Sequence, residues 1–90
     1  MRKKKLEWSN ANPIPQLGDV VEVRINGIGK GEVVGFFDEV GYAGVVVKPF
    51  DPPQWYINQN GKDEPCHVFG AELKIDPDYT IKNVLEKNAY

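Results

Sequence analysis

Few residues of this chain are equipped for chemistry, and their spacing limits what each can do. Cys66 and His67 are the only cysteine and the only histidine, and they are neighbours, with Glu64 close by. The pairing suggests a thiol nucleophile with an imidazole base. Adjacent residues of a strand point to opposite faces, however, so the two side chains diverge. The pattern reads instead as a partly exposed strand histidine beside a buried thiol. One histidine and scattered carboxylates supply no metal-ligand spacing, and a single cysteine excludes both an intramolecular disulfide and a cysteine-based zinc site. The run Gly27-x-Gly29-x-Gly31 has the look of a phosphate cradle, but it opens no helix and lacks the Gly-Lys-Ser/Thr ending, so turn geometry accounts for its glycines. What remains is aromatic. Phe36, Phe37, Tyr42, Trp55 and Tyr56 are suited to caging a methylated ammonium or stacking on a flat ligand, the competing use being core and interface. Trp55 follows a proline-rich loop, a position expected at a rim where binding residues collect. The candidate binding residues are therefore Phe36, Tyr42, Trp55, Tyr56 and His67, with no catalytic residue, metal site or cofactor.

These side chains must be positioned by short strands. Val20 to Ile25 puts Val21, Val23 and Ile25 on one face by the period of two, with Glu22 and Arg24 opposite. Asn26-Gly27 is a strong turn signal, extended by Ile28 to Gly31 into a loop longer than a two-residue hairpin. Two further strands, 31–37 and 42–47, are apolar on both faces: Val33 and Phe37 against Val34 and Phe36, then Tyr42, Gly44 and Val46 against Ala43, Val45 and Val47. A small antiparallel barrel needs one apolar face per strand, so a second covered surface is implied, an oligomer interface or a terminal segment. Gly35 and Gly44 inside these strands fit sharp bending. Pro49, Pro52 and Pro53 bracket a loop before Gln54 to Ile57, which reads as a strand turned by Asn60-Gly61. Cys66 to Phe69 is a last short strand with Val68 inward, and Gly70 to Ile75 a single helical turn. Past Pro77, Asp78 caps a short helix with Ile81, Val84 and Leu85 at helical spacing.

The fold expected is all-β: a small SH3-like antiparallel barrel of about five strands over residues 17–76, preceded by an extended leader (1–16) and followed by a short helix (77–90) packed on it. Ninety residues, 41% hydrophobic and 27% charged, allow one domain with one small core. A domain of this size buries only roughly 60–65% of its unfolded surface, so self-association would help it. Four of the 11 lysines and arginines are Arg2, Lys3, Lys4 and Lys5, and the rest of the chain carries 7 against 13 aspartates and glutamates. An acidic body disfavours a broad phosphate-binding surface and leaves only the basic tip for nucleic acid. No apolar run is long enough for secretion or membrane spanning, so a cytoplasmic protein is expected.

From Gly18 to Phe37, the pattern Gly-Asp-x-Val, then Gly31, then Val34-Gly35 before an aromatic resembles the plasmid-borne type II dihydrofolate reductases. The likeness continues at Gly41-Tyr42-Ala43, His67-Val68-Phe69 and Leu73-Lys74-Ile75 and covers about half the chain. It implies an SH3-like barrel, a homotetramer with a central pore, and an origin on mobile DNA. That family binds dihydrofolate and NADPH through a Gln-Ile-Tyr strand, matched here by His67, Val68 and Phe69. Its pore lysine falls at Val23, beside Arg24. The amide and hydroxyl of the family strand are thus replaced, and an acidic body would meet anionic ligands. The resemblance supports the barrel and the oligomer and does not carry the reductase activity. The expected function is a non-enzymatic SH3-like binding module for a protein partner or another copy of itself, an accessory protein of mobile DNA. The alternatives are a small-ligand or reductase-like enzyme with its site in an oligomeric pore around His67, and nucleic-acid binding through Arg2 to Lys5 with Trp55.

Overall fold

The computed structural model describes residues 6–75. Five strands make one antiparallel sheet in the order β4-β3-β2-β1-β5, where β1 is Val20–Val23, β2 Gly29–Glu39, β3 Tyr42–Pro49, β4 Cys66–Phe69 and β5 Leu73–Lys74. The fold is all-β, as the sequence leads one to expect, but the sheet is not a closed barrel, and the short α-helix among the described residues stands where a strand is expected. A three-residue 3-10 turn, Gly70–Glu72, carries the chain from β4 at one end of the row to β5 at the other. The two residues of β5 are taken up by Glu22 and Val23 of β1, so no ladder joins β5 to β4. The helix expected over 77–90 lies outside the described residues.

Period-two alternation sets the core side of β1, where Val21 and Val23 are buried and Val20 and Glu22 half-buried. The chain then turns at Ile25–Ile28, closed by the Ile28 N–H donating to the Ile25 carbonyl at 2.9 Å, with Asn26 and Gly27 both at positive φ. Those residue types tolerate that backbone most easily. Further on, β2 is shared: Gly31 pairs with Val21 on one side and Pro49 on the other. A Cβ there would lie 2.6 Å from the Lys48 carbonyl oxygen, so only glycine lets the two neighbouring strands close in.

The register of β2 on β3 breaks after Val33. Val33 pairs with Val47, but Val46 pairs with Gly35, which leaves Val34 as the extra residue of a bulge. One inserted residue reverses the faces beyond it. Val33 stays in the core, whereas Phe37, expected on the same face, moves to the outer face opposite Gly44. Phe36 moves to the core side opposite Val45 and remains 50% exposed. In β3 the expected division holds, with Val45 and Val47 fully buried and Val46 on the outer face opposite His67.

Gln54 to Ile57, expected as a strand, belongs to a helix, α1 (Gln54–Asn60). Trp, Tyr and Ile favour strands, but Pro53 has the extended N-cap conformation and Gly61, at φ 98°, donates its N–H back to the Ile57 carbonyl at 2.9 Å. The two turns of α1 drop Tyr56 onto the core. Around it stand Val21, Val23, Ile28, Val33, Val45, Val47, Val68, Leu73 and Ile75, a core built mainly of valine.

Residues 6–16 of the expected leader contain no strand or helix, yet they are tied down as a strap. Glu7 makes a bridge beside Tyr42, and Trp8 packs against the core and donates its indole N–H to the Asn12 carbonyl at 2.7 Å. The Asn10 amide donates to the carbonyls of Gly70 (2.8 Å) and Leu73 (3.1 Å), and its oxygen accepts the Asn12 N–H at 2.9 Å. Asn10 thus occupies the opening between β4 and β5.

Candidate functional site

The outer face of β2, β3 and β4 carries a row of four rings. His67 meets Phe37 edge-on, with centroids 5.0 Å apart and planes at 69°. Phe37 meets Phe69 at 5.3 Å, and Phe69 meets Tyr42 at 6.3 Å and 76°. Edge-to-face geometry of this kind is favourable because the positive rim of one ring faces the negative face of the next. The row exists because of the Val34 bulge, which swings Phe37 outward, and because Gly44 leaves room beneath its ring.

At the free end of the row the β2–β3 hairpin turns through Val40 and Gly41, both at positive φ (53° and 82°). Glu39 pairs with Tyr42 across the turn, so their side chains share the outer face. Ser9, Glu39, Val40, Tyr42 and Phe69 line a shallow groove of about 340 Å³. Glu39 is the one charged residue of this lining. Tyr42 is held in place by backbone bonds on both sides of it, the Glu7 N–H to the Gly41 carbonyl (2.9 Å) and the Ala43 N–H to the Glu7 carbonyl (2.7 Å). Val40 is 88% and Tyr42 44% exposed. A second cleft, of about 290 Å³, runs between Glu32, Lys48, Phe50 and Lys62 near the far end of β3, and its lining mixes both signs of charge.

Of the five candidate residues, the structure brings Tyr42 and His67 together on this face. Phe36 lies on the other side of the sheet. Trp55 and Tyr56 sit on α1, edge-to-face with each other at 5.8 Å, and both hold structure together. The Trp55 indole N–H donates to the Asn26 carbonyl at 3.0 Å, pinning the β1–β2 turn to the helix. The Tyr56 hydroxyl donates to the Glu64 carbonyl at 2.5 Å, and burial, followed by the neighbouring Cys66 thiol, pushes the phenol up to about 12. Burial likewise raises the Cys66 thiol. Cys66 packs against the core while His67 is exposed beside Phe37, so the two side chains diverge and form no nucleophile–base pair. Phe69 and Glu39 are the members of the site that the sequence pattern does not single out. Gly44 carries a signal for Phe37 alone, whose ring crosses it, and none for Phe69 or Glu39.

Among the described residues, no group of three or more His, Cys, Asp or Glu side chains is placed to hold a metal ion. None of their helices is long and apolar enough to cross a membrane. At the positions matched to the reductase strand, His67 and Phe69 belong to the outer ring row and Val68 to the core, and Val23 is buried. Arg2 to Lys5 lie outside the described residues. Searches of family models, curated proteins and solved structures return no significant match to the chain.

Proposed function

We propose that this chain is a non-enzymatic binding module of the SH3-like kind, which takes a protein partner or another copy of itself on the outer face of β2, β3 and β4. One observation carries the reading: the core is filled by valines, while Phe37, Phe69 and Tyr42 are arrayed on the opposite face of the same sheet. Large aromatic side chains bury the most area per residue and dominate both cores and interfaces. Among the described residues the core takes Tyr56, with Trp8 and Trp55 packed against it, and leaves Phe37, Phe69 and Tyr42 for the outer face. The SH3-like part of the reading rests on the five antiparallel strands, which are not closed into a barrel. The resemblance to reductases of mobile DNA makes an accessory role there the proposed setting.

The test is sedimentation over a wide concentration range, together with crosslinking in cell extract, for the natural chain and for Tyr42→Ser. The module reading expects either self-association or a captured protein, lost in the variant while the thermal midpoint is kept. A strict monomer whose captured proteins are the same with and without Tyr42 would refute it. The enzyme alternative expects stabilisation by dihydrofolate or NADPH in a thermal-shift assay; the module reading expects none.

A further inference from the structure

Resting on the reading of the outer face as a binding surface, the geometry at its free end points to the kind of partner: we infer that the groove of Glu39, Tyr42 and Phe69 receives a lysine or arginine side chain from a basic segment of another protein. The rings of Tyr42 and Phe69 stand at 76° with centroids 6.3 Å apart, forming a two-walled corner, and Glu39 shares that face and groove. Ring faces attract cations, and the exposed Glu39 at the edge of this shallow, mainly apolar groove adds charge pairing. Val40 and the ring edges cover the aliphatic stem that such a side chain brings with it.

The charge pattern around the groove favours the same occupant. No lysine or arginine occurs from Leu6 to Val23, from Gly31 to Val47, or from Pro65 to Leu73. These stretches supply the strap, nearly all of the β2–β3 hairpin and β4, while Glu7, Asp38, Glu39 and Glu72 lie within them. Among the described residues, a cation approaching the outer face at this end therefore meets Glu39 and no lysine or arginine of the strap, of the hairpin from Gly31 to Val47 or of β4. The second cleft, with Lys48 and Lys62 in its wall, offers no such selectivity. An isologous contact with its two-fold axis at this groove would bring Glu39 against Glu39, which disfavours that arrangement of two copies.

The deciding experiment is an amide-resolved NMR titration of the full chain with acetylated, amidated tetralysine, using tetraglutamine as the neutral control. Saturable shifts are expected at Ser9, Glu39 to Tyr42 and Phe69, weakened by added salt. Glu39→Gln and Tyr42→Ala should each weaken binding by about 5-fold or more, and Asp51→Asn, an exposed carboxylate elsewhere, should leave it unchanged. Equal losses in Asp51→Asn, or shifts spread over every acidic residue, would mean diffuse attraction and overturn the proposal. Binding that appears only after Arg2 to Lys5 are replaced by serine would assign the groove to the chain's own tip. Concentration-dependent shifts at the same amides without peptide would assign it to a second copy. Either result removes the basic partner and leaves the binding face standing. Silence at Tyr42 here, joined to unchanged capture and sedimentation in Tyr42→Ser, would remove the binding face as well.

Discussion

Gly44 lies directly beneath the ring of Phe37: a Cβ built on Gly44 would stand 2.3 Å from Cε1 and Cζ of that ring. The strand and the ring are in contact with nothing between them. Gly44→Ala should therefore lift the ring and disturb the row that joins His67, Phe37, Phe69 and Tyr42. The same Cβ would stand 2.8 Å from the Val68 carbonyl oxygen, which belongs to the backbone of β4 and cannot swing away. A cost of about 1–3 kcal/mol is expected, read from urea unfolding at unchanged slope. In the background of Phe37→Ala the substitution should cost less but not nothing, because the carbonyl clash remains. An additive double mutant would contradict the contact.

Val40 is a β-branched residue held at φ 53° at the tip of a hairpin, a conformation that asparagine or glycine adopts with far less strain. Val40→Asn should stabilise the chain by about 1 kcal/mol, seen as a higher urea midpoint, since the side chain is almost wholly in solvent and contributes little packing. If the exposed valine serves the groove, the same variant should bind tetralysine no better, and by loss of the apolar cover rather weaker, despite its greater stability. A destabilised Val40→Asn would show that the turn conformation is wrongly assigned.

The contrast between these residues and the first strand shows what a sequence reading reaches. Val21 and Val23 alternate with Val20 and Glu22, and a period of two is visible without knowing any neighbour. Asn26-Gly27 states its own turn, and Gly31 its close approach. The Val34 bulge is different, because nothing local distinguishes an extra residue from a regular one. It depends on which residue of β3 stands opposite, and it decides whether Phe36 or Phe37 reaches the outer face. The segment from Gln54 to Asn60 carries a conflict of signals: Trp55, Tyr56 and Ile57 favour a strand, while Pro53 in front and Gly61 behind frame a helix too short to display a repeat. Tyr42 and His67 are legible as candidates from their types alone. That Phe69 and Glu39 complete the groove follows only from β4 packing beside β3 and from the tightness of the turn.

The strap supplies a third expectation. Asn10 uses its amide to satisfy the carbonyls of Gly70 and Leu73 where the chain passes from β4 to β5, and its oxygen to hold Asn12. Asn10→Ala removes its donor from both carbonyls, of which Gly70 keeps the Leu73 N–H, at a cost of about 1 kcal/mol. Hydrogen exchange should locate the loss at Leu73 and Ile75 and at the strap, with little change at the amides of Val45 to Val47. Uniform acceleration across the sheet would mean that the strap is part of the global fold and not a fastening on it.

Tyr56 makes the stability of the whole domain sensitive to alkali. Its phenol is pushed from an ordinary value of 10.0 up to about 12, chiefly because the hydroxyl is removed from water, with the neighbouring Cys66 thiol and then the Glu64 carboxylate adding to the rise. The folded chain therefore keeps the proton in a range where the unfolded chain has lost it. Stability from this group is fully present below about pH 10 and is lost as pH rises through about 12, at up to about 1.4 kcal/mol per pH unit. The Cys66 thiol, also raised by burial, adds a decline of the same sign that begins at lower pH. Urea midpoints measured from pH 8 to 12 should fall steadily at the upper end for the natural chain. Tyr56→Phe should start lower, having given up the bond to Glu64, and should show a shallower decline, with only the thiol contribution left. Parallel curves for the two proteins would mean that the phenol ionises as freely in the folded chain as in water, and would contradict its burial against the core.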